Sequence, residues 1–114
     1  MKGKYEDRIR LQHILNAIDE IESYLINIQF ADFMQHSVIR FACIKQLEII
    51  GEACNRVTPE TQQKFPSIAW AQIIGMRNVF IHEYFGIDFN IAWDIINYDL
   101  PELKLNILKI IDLI

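Results

Sequence analysis

Glycine and proline are scarce: the 114-residue chain has only four of the first and three of the second. Sparse punctuation of this kind excludes a fold of many short strands and turns, and favours a few long helices. Cysteine is scarcer still. Cys43 and Cys54 lie eleven positions apart on one helical pattern, which separates them by roughly 16 Å at the helical rise. A disulfide cannot span that distance, so both read as small buried apolar residues. No paired-cysteine metal motif occurs, and no repeat or low-complexity segment appears. Charges interrupt every apolar stretch before it reaches bilayer-spanning length. The opening MKGKYEDRIR has no apolar signal-peptide core. No membrane association is expected, and a cytoplasmic location is. The net charge of −4 and a pI near 5.3 exclude a strongly basic nucleic-acid coat, though not a local basic groove.

What the chain does have is apolar content. At 52% hydrophobic residues it can fill one core, with enough left over for a subunit interface. The length fits a single domain over residues 1–114. Leu11, Ile14, Ile18, Ile21, Leu25 and Ile28 recur at spacings of three and four, predicting a helix from about Tyr5 to Gln29. A second helix is expected from Phe33 to Val57 with Asp32 as its cap. That segment is apolar on most sides, from Val38 to Ile50, as suits a central or shared helix. Gly51 inside it costs up to about 1 kcal/mol relative to alanine unless another helix approaches closely. Thr58 to Pro66 reads as a connector with a capped short turn. A third helix is expected from Ser67, ending between His82 and Gly86. Asp88 can cap a fourth, which contains Phe89, Ile91, Trp93, Ile95 and Ile96, and Pro101 opens the last. The expectation is an all-α, up-and-down bundle of about five helices.

One stretch differs from its apolar surroundings: RNVFIHEYFG, Arg77 to Gly86. On a continuous helix Asn78 and His82 share a face. Arg77 and Tyr84 share another, about 20° out of phase, while His82 stands about 140° round from Arg77. One arginine and one histidine so placed do not converge. They converge if the helix ends or distorts before His82, or if two subunits pair these segments across a twofold axis. The residue types suit RNA cleavage without a metal. A near-neutral histidine can take a proton from the ribose 2′-hydroxyl or give one to the leaving 5′-oxygen. An arginine fork can stabilise charge building on the phosphate, and an asparagine can orient the imidazole. A structural alternative has Arg77 lying over Trp70 and His82 as a polar helix terminus.

The other polar candidates carry less. His13 and His36 sit on different helices without companion ligand spacing. Glu83 reads as solvated, and Glu52 either reaches the site or forms a buried or interfacial ion pair. Trp70 and Trp93 read as core or interface aromatics. Asp19, Glu20 and Glu22 form an acidic surface patch.

The motif Arg77-Asn78-Val79-Phe80-Ile81-His82, continuing through Glu83 to Tyr84, resembles the R-x4-H-x-Y signature of HepT-like proteins, a branch of the HEPN superfamily. The resemblance covers almost the whole chain, through DRIRLQHILNAIDEIESYL, IGEACNRV, FPSIAWAQIIGMRNVFIHEYFGID and WDIINYDLPEL in that order. It implies a HEPN helical bundle, a homodimer with the motifs facing across a cleft, and a metal-independent endoribonuclease toxin with no cofactor. By position it makes Arg77 and His82 the catalytic pair, Asn78 their polar companion and Tyr84 the acceptor of AMP. The implied partners are an RNA substrate and an MNT-type minimal nucleotidyltransferase antitoxin. The alternative is a non-catalytic helical subunit that binds, and is modified by, a nucleotidyltransferase.

Overall fold

A computed structural model describes residues 2–82 and 86–114, with Lys2 and His82 described at the backbone only. The chain is an all-α bundle. Its long elements are α1 (Lys2–Tyr24), α3 (Ser37–Arg56) and α8 (Leu100–Ile110). Leu11, Ile14, Leu15, Ile18 and Ile21 form the buried stripe of α1, each side chain contributing about 1.5–3 kcal/mol on leaving water. They meet Cys43, Leu47, Ile50 and Cys54 of α3 and Leu103, Ile107 and Ile110 of α8 in one core.

Polar contacts fix the helix directions. Asp7, near the start of α1, accepts hydrogen bonds at the far end of α3 from the Thr58 backbone N–H (2.9 Å) and Oγ1 (2.6 Å). Near the other end of α1, the Tyr24 hydroxyl accepts from Gln46 at 3.2 Å. Arg8 bonds the Ile111 carbonyl and the Asp112 carboxylate, both at 3.2 Å. Lys104 pairs with Glu22 at 2.7 Å and Asp19 at 3.2 Å. Thus α1 runs antiparallel to both α3 and α8, the expected up-and-down core. The acidic patch is therefore not free: two of its carboxylates hold α8.

Helix boundaries depart from the sequence reading where short polar contacts compete with the helical ladder. The first helix stops at Tyr24, and Asn27 takes the left-handed conformation (φ 59°) that asparagine tolerates better than most residues. The expected helix from Phe33 to Val57 is divided. A short α2 (Phe30–Gln35) precedes α3, and His36 breaks them apart at φ −116°, ψ 90°. Its Nδ1 lies 2.8 Å from the Asp32 carbonyl. Arg40 donates to the Phe33 carbonyl at 3.1 Å and to that of Met34, satisfying the exposed end of α2. Asp32 does not cap a long helix; it sits in the first turn of α2 and accepts from the Gln29 N–H at 3.0 Å.

The capped connector is present as α4 (Pro59–Lys64), with the Thr58 hydroxyl accepting from the Thr61 N–H and proline in the first turn. The third expected helix is two short ones, α5 (Trp70–Ile74) and α6 (Met76–Phe80), separated by Gly75. Beyond Phe80 the backbone becomes extended. Ile81–His82 (β1) pairs antiparallel with Gly86–Ile87 (β2), Ile81 opposite Ile87 and His82 opposite Gly86. Asp88 then caps α7 (Phe89–Asp94), accepting from the Asn90 and Ile91 N–H groups. No break separates α7 from α8. A π-helical turn, Ile95–Asp99, joins them, and the Leu100 N–H reaches back to the Ile95 carbonyl. Ile95 and Ile96 belong to that turn rather than to a fourth α-helix. Pro101 follows it and has no N–H to offer Asn97, which is where a widened turn relieves the ladder.

Candidate functional site

Met76 and Phe80, four apart on α6, are both buried and anchor one face of that helix. Arg77 and Asn78 consequently point outward, and both are exposed. Arg77 borders a cavity of about 260 Å³ between α3 and α6. Its polar wall is Glu48, Glu52 and Asn55, which recur every three to four residues along α3; its floor includes Leu47, Gly51 and Met76.

Gly51 faces the end of α5. A Cβ built there would lie 3.6 Å from the Ile73 carbonyl oxygen and 3.9 Å from that of Ile74, ordinary contact distances. The approach of α5 to α3 therefore has room for a methyl group and does not offset the helical cost of glycine.

His82 does not continue α6. The helix ends two residues earlier, so Asn78 and His82 are not neighbours on a helical face, and the 140° separation from Arg77 does not apply. The Asn78 N–H bonds the Gly75 carbonyl at 3.0 Å, stabilising the start of α6. Glu83 and Tyr84 lie outside the described residues. The short β-pairing is held at its base: the Asp88 N–H donates to the Phe80 carbonyl at 2.7 Å. Next to it, Phe89 stacks edge-on against Phe33 and Phe41, with the Arg40 guanidinium 4.8 Å from its ring centre. Along the chain, the segment carrying His82 thus follows buried Phe80 and precedes Phe89 with its aromatic contacts.

The remaining candidates resolve simply. Trp70 is buried and its Nε1 donates to the Phe65 carbonyl at 3.0 Å. Among the described residues no cation–π contact joins it to Arg77. Trp93 packs on Phe30 and Phe33. Both cysteines are buried and free, and burial raises the Cys43 thiol to about 11 and the Cys54 thiol to about 12. Among the described residues no three His, Cys, Asp or Glu side chains are grouped to hold a metal. No helix described is long and apolar enough to cross a membrane. Glu52 stands 4.0 Å from Arg56 in an exposed contact, not the buried or interfacial ion pair expected, and it also lines the Arg77 cavity. Sequence reasoning missed Glu48 and Asn55. Their signal was a polar stripe at positions 48, 52 and 55 on one face of a largely apolar helix.

A family model described as Ribonuclease HepT-like matches residues 14–110. The chain is 36% identical over 102 residues to a Methanocaldococcus jannaschii protein named as a candidate RNase, covering 90% of this chain and 94% of that one. It is 37% identical over 101 residues to a similarly named protein of Caldanaerobacter subterraneus, covering 89% and 90% respectively. To a Thermococcus cleftensis protein named as a candidate ribonuclease HepT it is 38% identical over 104 residues, covering 91% and 93%. No solved structure matches the chain.

Proposed function

The chain belongs to the HepT-like ribonuclease family, and from that premise we propose that it is a metal-independent endoribonuclease toxin in which Arg77 and His82 cut RNA at a homodimer cleft. The observation that supports this reading most is the end of α6 at Phe80. Arginine on a helix and histidine on a separate extended segment are free of the fixed helical phase that would hold them apart.

Neutral His82 takes the proton of a ribose 2′-hydroxyl, and the oxygen attacks the adjacent phosphorus. Arg77 donates to the non-bridging oxygens as negative charge accumulates there. The 5′-oxygen leaves with a proton from an imidazolium, which in a paired dimer the second His82 supplies. The products are a 2′,3′-cyclic phosphate and a free 5′-hydroxyl. Asn78 acts as the polar companion of this pair.

Control comes from an MNT-type nucleotidyltransferase antitoxin. The Tyr84 hydroxyl attacks the α-phosphorus of ATP, pyrophosphate departs, and AMP remains on the tyrosine. A bulky phosphodiester two residues from His82 competes with RNA for Arg77 and fills its path. Modification blocks entry rather than unfolding the bundle.

Incubating a labelled RNA with wild type, Arg77→Ala and His82→Ala protein tests the proposal. Wild type should yield cyclic-phosphate ends, and each variant should lose cleavage while remaining a folded dimer. Cleavage by His82→Ala at the wild-type rate would remove His82 from the mechanism. A wild type that never cuts RNA, yet still binds and is modified by the nucleotidyltransferase, would establish the non-catalytic subunit instead.

A further inference from the structure

A second cavity, of about 270 Å³, lies between α1 and α3 and shares Glu48 and Glu52 with the wall of the Arg77 cavity. Its rim carries Arg10 and His13 from α1 and Lys45 and Arg56 from α3. The two cavities therefore flank one ridge of α3, and a chain leaving Arg77 over that ridge enters the second directly.

The distribution of positive charge makes this placement informative. The molecule carries eleven Lys and Arg residues against fifteen Asp and Glu. Among the described side chains, three cations are committed to the fold: Arg8 to Asp112, Lys104 to Asp19 and Glu22, and Arg40 to the α2 carbonyls. Four others, Arg10, Lys45, Arg56 and Arg77, line these adjoining cavities. Arg10 and Lys45 have no ion-pair partner among the described residues, and Arg56 has only an exposed contact with Glu52 at 4.0 Å. A protein of net charge −4 repels polyanions on average. A local surplus of cations beside the arginine of the site is where a phosphate chain is held.

We infer that the α1–α3 groove, through Arg10, Lys45 and Arg56, binds phosphodiesters of single-stranded RNA that flank the one beside Arg77. The inference rests on the ribonuclease reading above. From Lys45 to Arg56 the helix rises about 16 Å, enough for more than one phosphate. Glu48 stands between the two cavities and opposes the strand, so removing its charge acts in the opposite direction to removing Lys45.

The test measures binding of a fluorescent, fully 2′-O-methylated RNA strand by the full chain across a salt series. Such RNA keeps its phosphates and lacks the nucleophilic hydroxyl. Lys45→Ala and Arg10→Ala are each expected to weaken binding several-fold at low salt. Each should flatten the log–log salt dependence by about 0.7, the value for one contact to a single strand. Glu48→Gln should tighten binding, Lys45→Arg should retain it, and Lys64→Ala, outside the groove, should leave it unchanged. If wild type cuts unmodified RNA but Lys45→Ala and Arg10→Ala bind like wild type, the groove falls and the ribonuclease stands. If wild type neither cuts unmodified RNA nor binds the methylated strand, both fall. Salt-sensitive binding weakened in the groove variants of a protein that cuts nothing keeps the groove and removes the ribonuclease.

Discussion

Asp7 is 1% exposed and accepts three hydrogen bonds, the shortest at 2.5 Å from the Thr61 hydroxyl. It ties the first helix to the cap of α4, so truncation leaves buried donors without a partner. Asp7→Ala should lower unfolding stability by about 2–4 kcal/mol, read as a shift in the urea midpoint, with little direct effect on RNA binding. Gly86 is a contrasting case. Its φ of +78° is left-handed, and a Cβ there would meet nothing within 4 Å, so Gly86→Ala carries backbone strain alone, about 1–2 kcal/mol. That strain falls on the residue paired with His82. Cleavage should therefore drop further than thermal stability does, and Gly86→Asn should be milder than Gly86→Ala. Cys54 sets a pH dependence. Burial raises its thiol to about 12, against a value near 9 in the unfolded chain, so the fold favours the neutral form. Its contribution is complete below pH 9 and is lost as pH rises toward 12, because the unfolded state then binds fewer protons. Stability should fall more steeply above pH 9 in wild type than in Cys54→Ala, by at most about 1.4 kcal/mol per pH unit.

At the scale of elements, the contact between α3 and the end of α5 sets where Arg77 stands. A methyl group at position 51 would lie 3.6 Å from the Ile73 carbonyl oxygen, an ordinary contact. Gly51→Ala should fold normally, gain up to about 1 kcal/mol of helix propensity and keep its activity. Gly51→Leu must push α5 and α6 away and should lose both stability and cleavage, which melting curves and an RNA assay report together. The elements whose ends are marked by local chemistry were legible in the sequence. Thr58 before Pro59, Asp88 before Phe89 and Pro101 in its first turn each stand where expected. The long apolar stripe of α1 was legible for the same reason, since periodicity is a local property. The break at His36 was not, because Arg40 and the Asp32 carbonyl supply the compensating bonds only once the chain has folded. Nor was the end of α6. The residues from Met76 to His82 include no glycine or proline, and the extended backbone at Ile81 and His82 depends on pairing with Gly86 and Ile87. The residue types and spacing of the motif were thus legible, while its departure from helical phase after Phe80 was a tertiary effect.

At the scale of the whole molecule, one copy of the chain offers a single Arg77 and a single His82, and the proposed mechanism uses one base and one acid. Apolar side chains remain outside the core. Val38 is 81% exposed and Phe41 54% exposed on α3, the helix whose apolar breadth led to the expectation of a shared surface. Whether the catalytic pair is drawn from one subunit or from both has a direct readout. Arg77→Ala and His82→Ala proteins are each inactive in the proposed mechanism. Mixed, unfolded and refolded together, they give heterodimers in which one subunit keeps its arginine and the other its histidine. If the pair works across the twofold axis, such a heterodimer keeps one Arg77–His82 combination but lacks the second His82, the acid of the proposed mechanism. Random assortment makes half the dimers mixed, so the mixture should recover some cleavage, at most about a quarter of the wild-type rate. If each subunit uses its own pair, the mixture should stay inactive, although sedimentation still reports dimers. If the variants sediment as monomers together with active wild-type monomers, the composite cleft is overturned outright, and the arginine and histidine must meet within one chain.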